Sequence, residues 1–148
     1  MKEDFLHYIW QHQYYRKTDL ATTEGEPVQV MRTGYYNTDA GPDFREAIVR
    51  IGEVEWSGSV EIHLRASDWR RHNHQTDLKY DQVILHVVWE ADEQILRTDG
   101  TIIPVLELKD RVDTALLYTY RQVFKTDKKV FTDCNVIVFQ VYSYPANI

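Results

Sequence analysis

The stretch GSVEIHLRASDW, residues 58–69, decides how the rest of the chain is interpreted. Apolar and polar side chains alternate along it: the apolar ones are Val60, Ile62, Leu64 and Ala66, and the polar ones are Glu61, His63 and Arg65. A period of two predicts a β-strand with one apolar and one polar face. Packing against a core explains the apolar face. The polar face places an acid, an imidazole and a guanidinium in a row. Three interpretations of this row are open: a solvent-facing surface, a salt-bridge ladder or an active site.

The bulk composition is that of a folded domain. The chain has 148 residues, of which 43% are hydrophobic and 27% charged, enough to build a core. The net charge of −6 argues against tight non-specific binding of nucleic acid, which depends on neutralising phosphates. It does not exclude nuclease chemistry, because metal-binding acids make a site negative. We expect residues 1–125 to form one domain and residues 126–148 to form an atypical C-terminal tail.

Cysteine usage and hydropathy indicate a cytoplasmic protein. A lone cysteine, Cys134, can form neither an internal disulfide nor a cysteine-cluster zinc site, and fits a reducing compartment. The N-terminus, MKEDFLHYIWQHQYY, is too charged for the apolar core of a signal peptide. No apolar run approaches the roughly 18 residues that a membrane-spanning helix needs. We therefore expect no membrane association.

The periodicity of the remaining chain predicts an α+β fold. Helices are predicted over residues 2–16 and 111–124, with a short helix beginning at Ser67 or Asp68. Strands are predicted over 27–32, 44–51, 54–66 and 82–90, and a hairpin over 94–108 turns at Asp99-Gly100. This order predicts a mixed, mostly antiparallel sheet with an N-terminal helix and a helix after the third core strand.

One candidate site pairs Asp43 with Glu61. Asp43 opens a predicted strand and Glu61 lies eighteen positions later, so a hairpin between them brings both carboxylates to one edge of the sheet. Two neighbouring carboxylates suit Mg²⁺, which takes oxygen ligands and can polarise a phosphodiester. His63, on the same face as Glu61, is placed to orient or deprotonate the attacking water. The alternative is a solvated strand face whose ion pairs contribute little stability.

A second candidate is the sequence Glu107-Leu108-Lys109, preceded by Asp99. Asp99-Gly100 fits the tip of a hairpin, which carries Asp99 away from Glu107. The pattern therefore favours an exposed strand end over a catalytic site.

Histidines form a third candidate. His72 and His74 follow Arg70 and Arg71, and His63 lies on the preceding strand. The cluster fits a zinc site, a basic segment that contacts phosphates, or a solvated turn. The neighbouring tryptophan, Trp69, is the best candidate for stacking on a base, although packing is the commoner role of a tryptophan. His86, within an apolar strand, is predicted to be a core histidine with a backbone partner.

Long collinear motifs resemble a known family. These are MKEDFLHYIW, TTEGEPVQV, NTDAGPDF, GSVEIHLRASDW, HQTDLKYDQVILHVVWE and PVLELKDRV. Together they resemble an uncharacterised bacterial family, the domain of unknown function 2851, from residue 1 to about residue 115. Members of that family are generally longer than this chain, and the end FTDCNVIVFQVYSYPANI departs from the expected pattern. Its apolar run is expected to pair, become buried or form a homo-oligomer contact.

GPDF followed by VEIH is more distantly similar to the pattern of the PD-(D/E)XK nuclease superfamily, whose core is a helix, three antiparallel strands, a helix and a further strand. The resemblance implies that Asp43 and Glu61 bind Mg²⁺ or Mn²⁺ and that Glu3 stands where some members carry another acid. His63 stands where lysine is usual, and as a largely neutral group it stabilises charge less well.

The sequence thus predicts a metal-dependent phosphodiesterase acting on nucleic acid, or an inactive descendant of one. Residues expected to contact nucleic acid are Arg65, Trp69, Arg70, Arg71, His72 and His74, because arginine pairs bidentately with phosphate and aromatic rings stack on bases. The first alternative is a non-catalytic structural or protein-interaction domain. The second is a small-molecule enzyme that uses His63 as a base, which a deep apolar pocket would favour.

Overall fold

A computed structural model describes residues 1–124. The described chain divides into two compact units, one formed by Lys2–Arg111 and the other containing the segment from Val112 onward. The predicted tail at 126–148, its expected oligomer contact and Cys134 lie outside the described residues.

The first unit contains the sheet and two of the three α-helices found within residues 1–124. Its helices are α1 (Glu3–His12) and α2 (Asp68–Arg71), and two short 3₁₀ turns follow at His74–Thr76 and Leu78–Gln82. Its strands are β1 (Val28–Arg32), β2 (Tyr35–Tyr36), β3 (Phe44–Ile51), β4 (Val54–Arg65), β5 (Val83–Glu90) and β6 (Val105–Glu107). The second unit contains α3 (Thr114–Phe124).

The strands form one mixed sheet in the order β1-β3-β4-β5-β6. The short β2 lies outside this order and pairs with the first two residues of β3. The pairs β1–β3, β2–β3 and β3–β4 are antiparallel, whereas β4–β5 and β5–β6 are parallel. The predicted α+β class, with an N-terminal helix, a mostly antiparallel sheet and later helices, is confirmed.

The central strands are buried on both faces. In β5 the first six residues are all buried, which explains its almost continuous apolar sequence. In β4 the apolar residues Val60 and Ile62 are fully buried, as expected. The polar residues Glu61 and His63 are only 3% and 1% exposed, so the polar face of this strand is not a solvated surface. Both α1 and α2 contact β4.

Gly58 permits the close approach of β4 to the start of β5. A Cβ at this position would lie 2.6 Å from the carbonyl oxygen of Gln82 and 2.6 Å from Cγ2 of Ile84. Since no side chain fits there, glycine is the residue that allows the two strands to meet.

Some predicted boundaries are wrong, for local reasons. The first helix ends at His12, because Gln13 adopts a left-handed conformation with φ 55°. The predicted hairpin over 94–108 is shorter: Leu96 bridges Ile102, and Asp99 at the tip accepts hydrogen bonds from Thr101. Beyond it, β6 pairs with β5 in parallel.

The Glu107-x-Lys109 pattern marks a structural strand end. Oε2 of Glu107 accepts a hydrogen bond of 2.7 Å from the backbone N–H of Ala91, which fixes the segment that leaves β5. Across residues 1–124, no helix combines the length and the apolar character needed to cross a membrane.

Candidate metal centre

A bulge in β3 sets the position of Asp43. Ala47 pairs with Gly58, but Phe44 pairs with Val60, so the register between β3 and β4 shifts by one residue in between. Glu46, within the shift, has a positive φ of 60°. Directly opposed residues share a face of an antiparallel pair, and a shift of one residue changes that face. When the shifted register is extended by one residue beyond the Phe44–Val60 pair, Asp43 comes opposite Glu61.

Asp43 and Glu61 are joined by several hydrogen bonds. The backbone N–H of Asp43 donates to Oε1 of Glu61 at 3.1 Å, and the backbone N–H of Ile62 donates to Oδ2 of Asp43 at 2.9 Å. The two carboxyl groups also form a side-chain hydrogen bond with each other. The structure thus brings together the two acids that the sequence singled out.

The environment of this pair favours a shared proton. Burial, followed by the hydrogen bond and the negative charge of Asp43, raises the pKa of Glu61 well above its usual value of 4.5. Burial acts against ionisation of Asp43 too, but hydrogen bonds with His7 and Glu61 outweigh it and lower the pKa of Asp43. The pair therefore retains one proton near neutral pH, and a divalent ion bound between the carboxylates would displace it.

Helix α1 adds two groups to the same site, Glu3 and His7, which are four residues apart and so share a helix face. Nε2 of His7 lies 3.4 Å from Oδ2 of Asp43, and this contact raises the pKa of His7 despite its burial. Burial and the charge of Asp43 raise the pKa of Glu3, which places this predicted third acid within electrostatic range of the pair. His7 is not among the predicted site residues, although its spacing of four residues from Glu3 is a usable signal.

Three histidines converge beside Glu61. One nitrogen each from His63, His72 and His74 lies within 4.8 Å of the other two. Nε2 of His63 is 3.2 Å from Nδ1 of His72. Oε2 of Glu61 lies 2.7 Å from Nε2 of His74 and 3.7 Å from Nε2 of His63. The histidines and the carboxylate pair therefore form one continuous polar cluster.

A fourth histidine, His86, supports the cluster from inside the sheet. Its ring is fully buried, as predicted, but its Nε2 contacts Nδ1 of His63 at 2.8 Å instead of a backbone group. Burial, followed by the neighbouring imidazoles, lowers the pKa of His63 to about 2, of His86 to about 3 and of His74 to about 4. All three imidazoles are consequently neutral near pH 7.

The aromatic residue next to the arginines packs inward. Trp69 is 2% exposed, and its ring contacts His74, Tyr80 and His86 with centroid separations of 5.3, 5.6 and 5.2 Å. His74 stacks on Tyr80 at 3.6 Å and is itself buried. The structure places Trp69 and His74 in the interior, so neither offers a ring face to a nucleotide. His72 is exposed.

The arginines lie at the surface. Arg65, Arg70 and Arg71, together with Ser67, line an open pocket of about 480 Å³. Each arginine is paired with an acid: Arg65 with Glu90 at 3.9 Å, Arg71 with the buried Asp68 at 3.2 Å, and Arg70 with both carboxylate oxygens of Glu93. The three arginines are brought together, as a phosphate-contacting surface would require.

Comparison with known proteins gives one match. The model of the family described as Protein of unknown function (DUF2851) matches residues 3–145. No curated protein and no solved structure matches the chain. The family match reaches residue 145, beyond the residue of about 115 at which the resemblance of the sequence motifs ends. Since the match covers nearly the whole sequence, the chain belongs to the DUF2851 family.

Proposed function

We propose that this protein is a metal-dependent phosphodiesterase that acts on nucleic acid, similar in its site to the PD-(D/E)XK nucleases. The observation that carries the proposal is the pairing of Asp43 with Glu61. Glu61 is buried and Asp43 is half-buried, and the two acids are fixed by backbone N–H groups and share a proton, which a divalent cation would displace.

The order of the elements supports the proposal. Helix α1 precedes the three antiparallel strands β1, β3 and β4, and α2 then leads to β5, which lies parallel to β4. The short β2 is an addition at the edge of β3. This succession is similar to the core of the superfamily, in which the first acid opens one strand and the second acid lies within the next.

The donor set fits the ion that the resemblance implies. Asp43 and Glu61 would hold Mg²⁺ or Mn²⁺ through carboxylate oxygens, and Glu3 would add negative charge nearby. Bound there, the ion would polarise the phosphodiester and lower the pKa of a water ligand. His63 is neutral and its Nε2 lies beside Glu61, so it can accept a hydrogen bond from a water in this position but supplies no positive charge.

The arginine pocket supports the choice of a polyanionic substrate. Arg65, Arg70 and Arg71 follow the site directly in sequence, at the end of β4 and in α2. The guanidinium groups of all three arginines are exposed, and the exposed ion pair of Arg65 with Glu90 contributes little stability, so a phosphate can replace Glu90 at small cost. The guanidinium fork matches phosphate oxygens. Among the residues expected to contact nucleic acid, the exposed ones are these three arginines and His72.

The test is cleavage of labelled single- and double-stranded DNA and RNA with Mg²⁺ or Mn²⁺. Asp43→Asn and Glu61→Gln preserve shape but weaken the ligands, and each should reduce cleavage by on the order of 100-fold or more. Two exposed acids provide matched controls, since Asp39 lies in the same loop as Asp43 and Glu55 lies on β4. Asp39→Asn and Glu55→Gln should retain the wild-type rate.

The outcome separates this proposal from the alternative of a non-catalytic domain. Metal-dependent cleavage that survives both site substitutions, or that is absent from the wild-type protein on all four substrates, refutes the nuclease proposal. In that case the polar row on β4 serves the fold or a partner protein.

A further inference from the structure

We propose that His63, His72 and His74 form a nitrogen-donor site for a zinc-class divalent metal ion, with Oε2 of Glu61 as the fourth ligand. This inference goes beyond the proposed nuclease function, because it assigns ligands to a second and chemically different ion. It can be tested without any substrate.

The spacing of the donor atoms fits tetrahedral coordination. Zinc–nitrogen bonds of about 2.0–2.1 Å in a tetrahedron place the nitrogens roughly 3.3–3.4 Å apart. Nε2 of His63 and Nδ1 of His72 are 3.2 Å apart, close to that separation. The third nitrogen, on His74, lies within 4.8 Å of the other two. Small side-chain adjustments would therefore bring all three onto one ion.

The ring nitrogens are available as ligands. His63 can donate its Nδ1–H to Nε2 of His86 at 2.8 Å, which leaves the lone pair of its Nε2 facing His72 and Glu61. A metal-binding histidine usually has its second nitrogen held in this way, since the hydrogen bond fixes both the tautomer and the ring orientation. His86 would thus act as a positioning residue behind the site.

A hydrogen bond between two histidines explains one of the short contacts in the cluster but not the contact of His74 with Glu61. The contact between His63 and His72 can be an N–H···N bond. Nε2 of His74, however, is buried and forms no hydrogen bond among the described residues, although Oε2 of Glu61 lies 2.7 Å away. A proton held between these two atoms satisfies both in the metal-free protein. A cation that displaces this proton would take the two atoms as ligands after they separate slightly.

The donor chemistry separates this site from the carboxylate pair. Imidazole nitrogens suit Zn²⁺, Co²⁺ or Ni²⁺, whereas Mg²⁺ prefers oxygen. Glu61 contributes to both sites with different atoms: Oε1 accepts from the N–H of Asp43, and Oε2 lies beside His74. Glu61 is therefore placed to bridge two ions, an arrangement found in two-metal hydrolases. In that arrangement Nε2 of His63 is a metal ligand and no longer contacts the water directly.

The experiment is isothermal titration of metal-free protein with Zn²⁺, repeated with Co²⁺, whose visible spectrum reports tetrahedral coordination. We expect one ion to bind per chain. His72→Ala should weaken binding by at least about tenfold, since even outer-shell partners contribute 10–100-fold. His72 is exposed, so its replacement leaves the core intact, and circular dichroism can check this. His74→Gln provides a second ligand variant.

Two controls make the result specific. His12→Ala removes an exposed histidine from α1 and should leave the affinity unchanged. Asp39→Asn removes an exposed acid near Asp43 and should likewise leave the affinity unchanged. The titration contains neither Mg²⁺ nor substrate and the cleavage assay contains no zinc, so the two proposals can fail separately. Zinc binding that is absent in the wild type, or that is equally tight in His72→Ala and His74→Gln, overturns the inference.

Discussion

Asp43 and Glu61 are held together across the β3–β4 pair, with the backbone N–H of Asp43 donating to Oε1 of Glu61 at 3.1 Å and their carboxyl groups hydrogen-bonded to each other. This relationship depends on backbone register. It exists because the bulge around Glu46 shifts the pairing by one residue between Ala47 and Phe44. The geometry of the site can therefore be tested through the backbone as well as through the acids.

Replacing Glu46 by glycine should stabilise the protein. Glu46 is exposed and holds a left-handed φ of 60°, which is costly for a residue with a Cβ. The backbone carbonyl of Glu46 accepts a hydrogen bond of 2.9 Å from Nε of Arg32, and this bond survives the change. After the greater chain entropy of glycine is subtracted, we expect a gain of about 0.5–1 kcal/mol in the free energy of unfolding, measured in urea.

The control for Glu46→Gly is Arg50→Gly, at an exposed position of the same strand outside the bulge. That change should destabilise by about 0.5–1 kcal/mol, because glycine weakens a regular strand. Equal losses at the two positions would show that the bulge is not strained.

Adding a single methyl group at Gly58 should destabilise the sheet. The new Cβ would lie 2.6 Å from a backbone oxygen of Gln82, which cannot move without displacing the start of β5. We expect Gly58→Ala to lower the free energy of unfolding by about 1–3 kcal/mol, the usual cost of overpacking. Thermal denaturation measures this. The exposed neighbour Ser57 supplies the control, and a loss as large in Ser57→Ala would contradict the steric explanation.

The metal-free protein should be most stable near pH 6.5. His63 and His86 have pKa values of about 2 and 3 in the folded chain, below the usual 6.5. Below pH 6.5 the unfolded chain therefore binds more protons, and stability falls with decreasing pH. Glu61 has a raised pKa, so the folded chain holds its proton where the unfolded chain has lost it. Stability then falls as pH rises above 6.5, by up to about 1.4 kcal/mol per pH unit.

Urea unfolding between pH 5 and 9 in the presence of a chelator tests this profile. Glu61→Gln cannot ionise, so it should reduce the loss of stability above pH 6.5 and steepen the loss below it, where Glu61 opposes the histidines. A wild-type stability that rises steadily above pH 7 would be incompatible with a protonated Glu61.

The fold could be predicted from the sequence because its strands carry strong periodic signals. FREAIVRI predicted β3 with its observed bounds, and QVILHVVWE predicted β5 to within one residue. The sequence predicts the short β6 as part of an antiparallel hairpin, whereas it pairs with β5 in parallel, because apolar alternation carries no information about strand direction.

The carboxylate pair could also be predicted, since Asp43 and Glu61 lie on adjacent segments of one hairpin. The inward placement of His74 could not. It depends on a 3₁₀ turn that follows α2 and on stacking against Tyr80, which no local pattern signals. His86 was recognised as a core residue, but its contact with His63 depends on the parallel register of β4 and β5, in which Glu61 pairs with His86.

Removing the imidazole of His86 should weaken metal binding, although His86 is not itself one of the proposed ligands. His86 is fully buried, and its Nε2 holds Nδ1 of His63 at 2.8 Å. His86→Leu keeps an apolar side chain in the core but leaves Nδ1 of His63 without its partner, so the ring is free to rotate or change tautomer. We expect zinc affinity to fall about 10–100-fold. His86→Gln retains an acceptor and should recover part of that loss. A purely structural role for His86 predicts instead that zinc affinity is unchanged in both variants once each is shown to be folded, and titration calorimetry distinguishes the two outcomes.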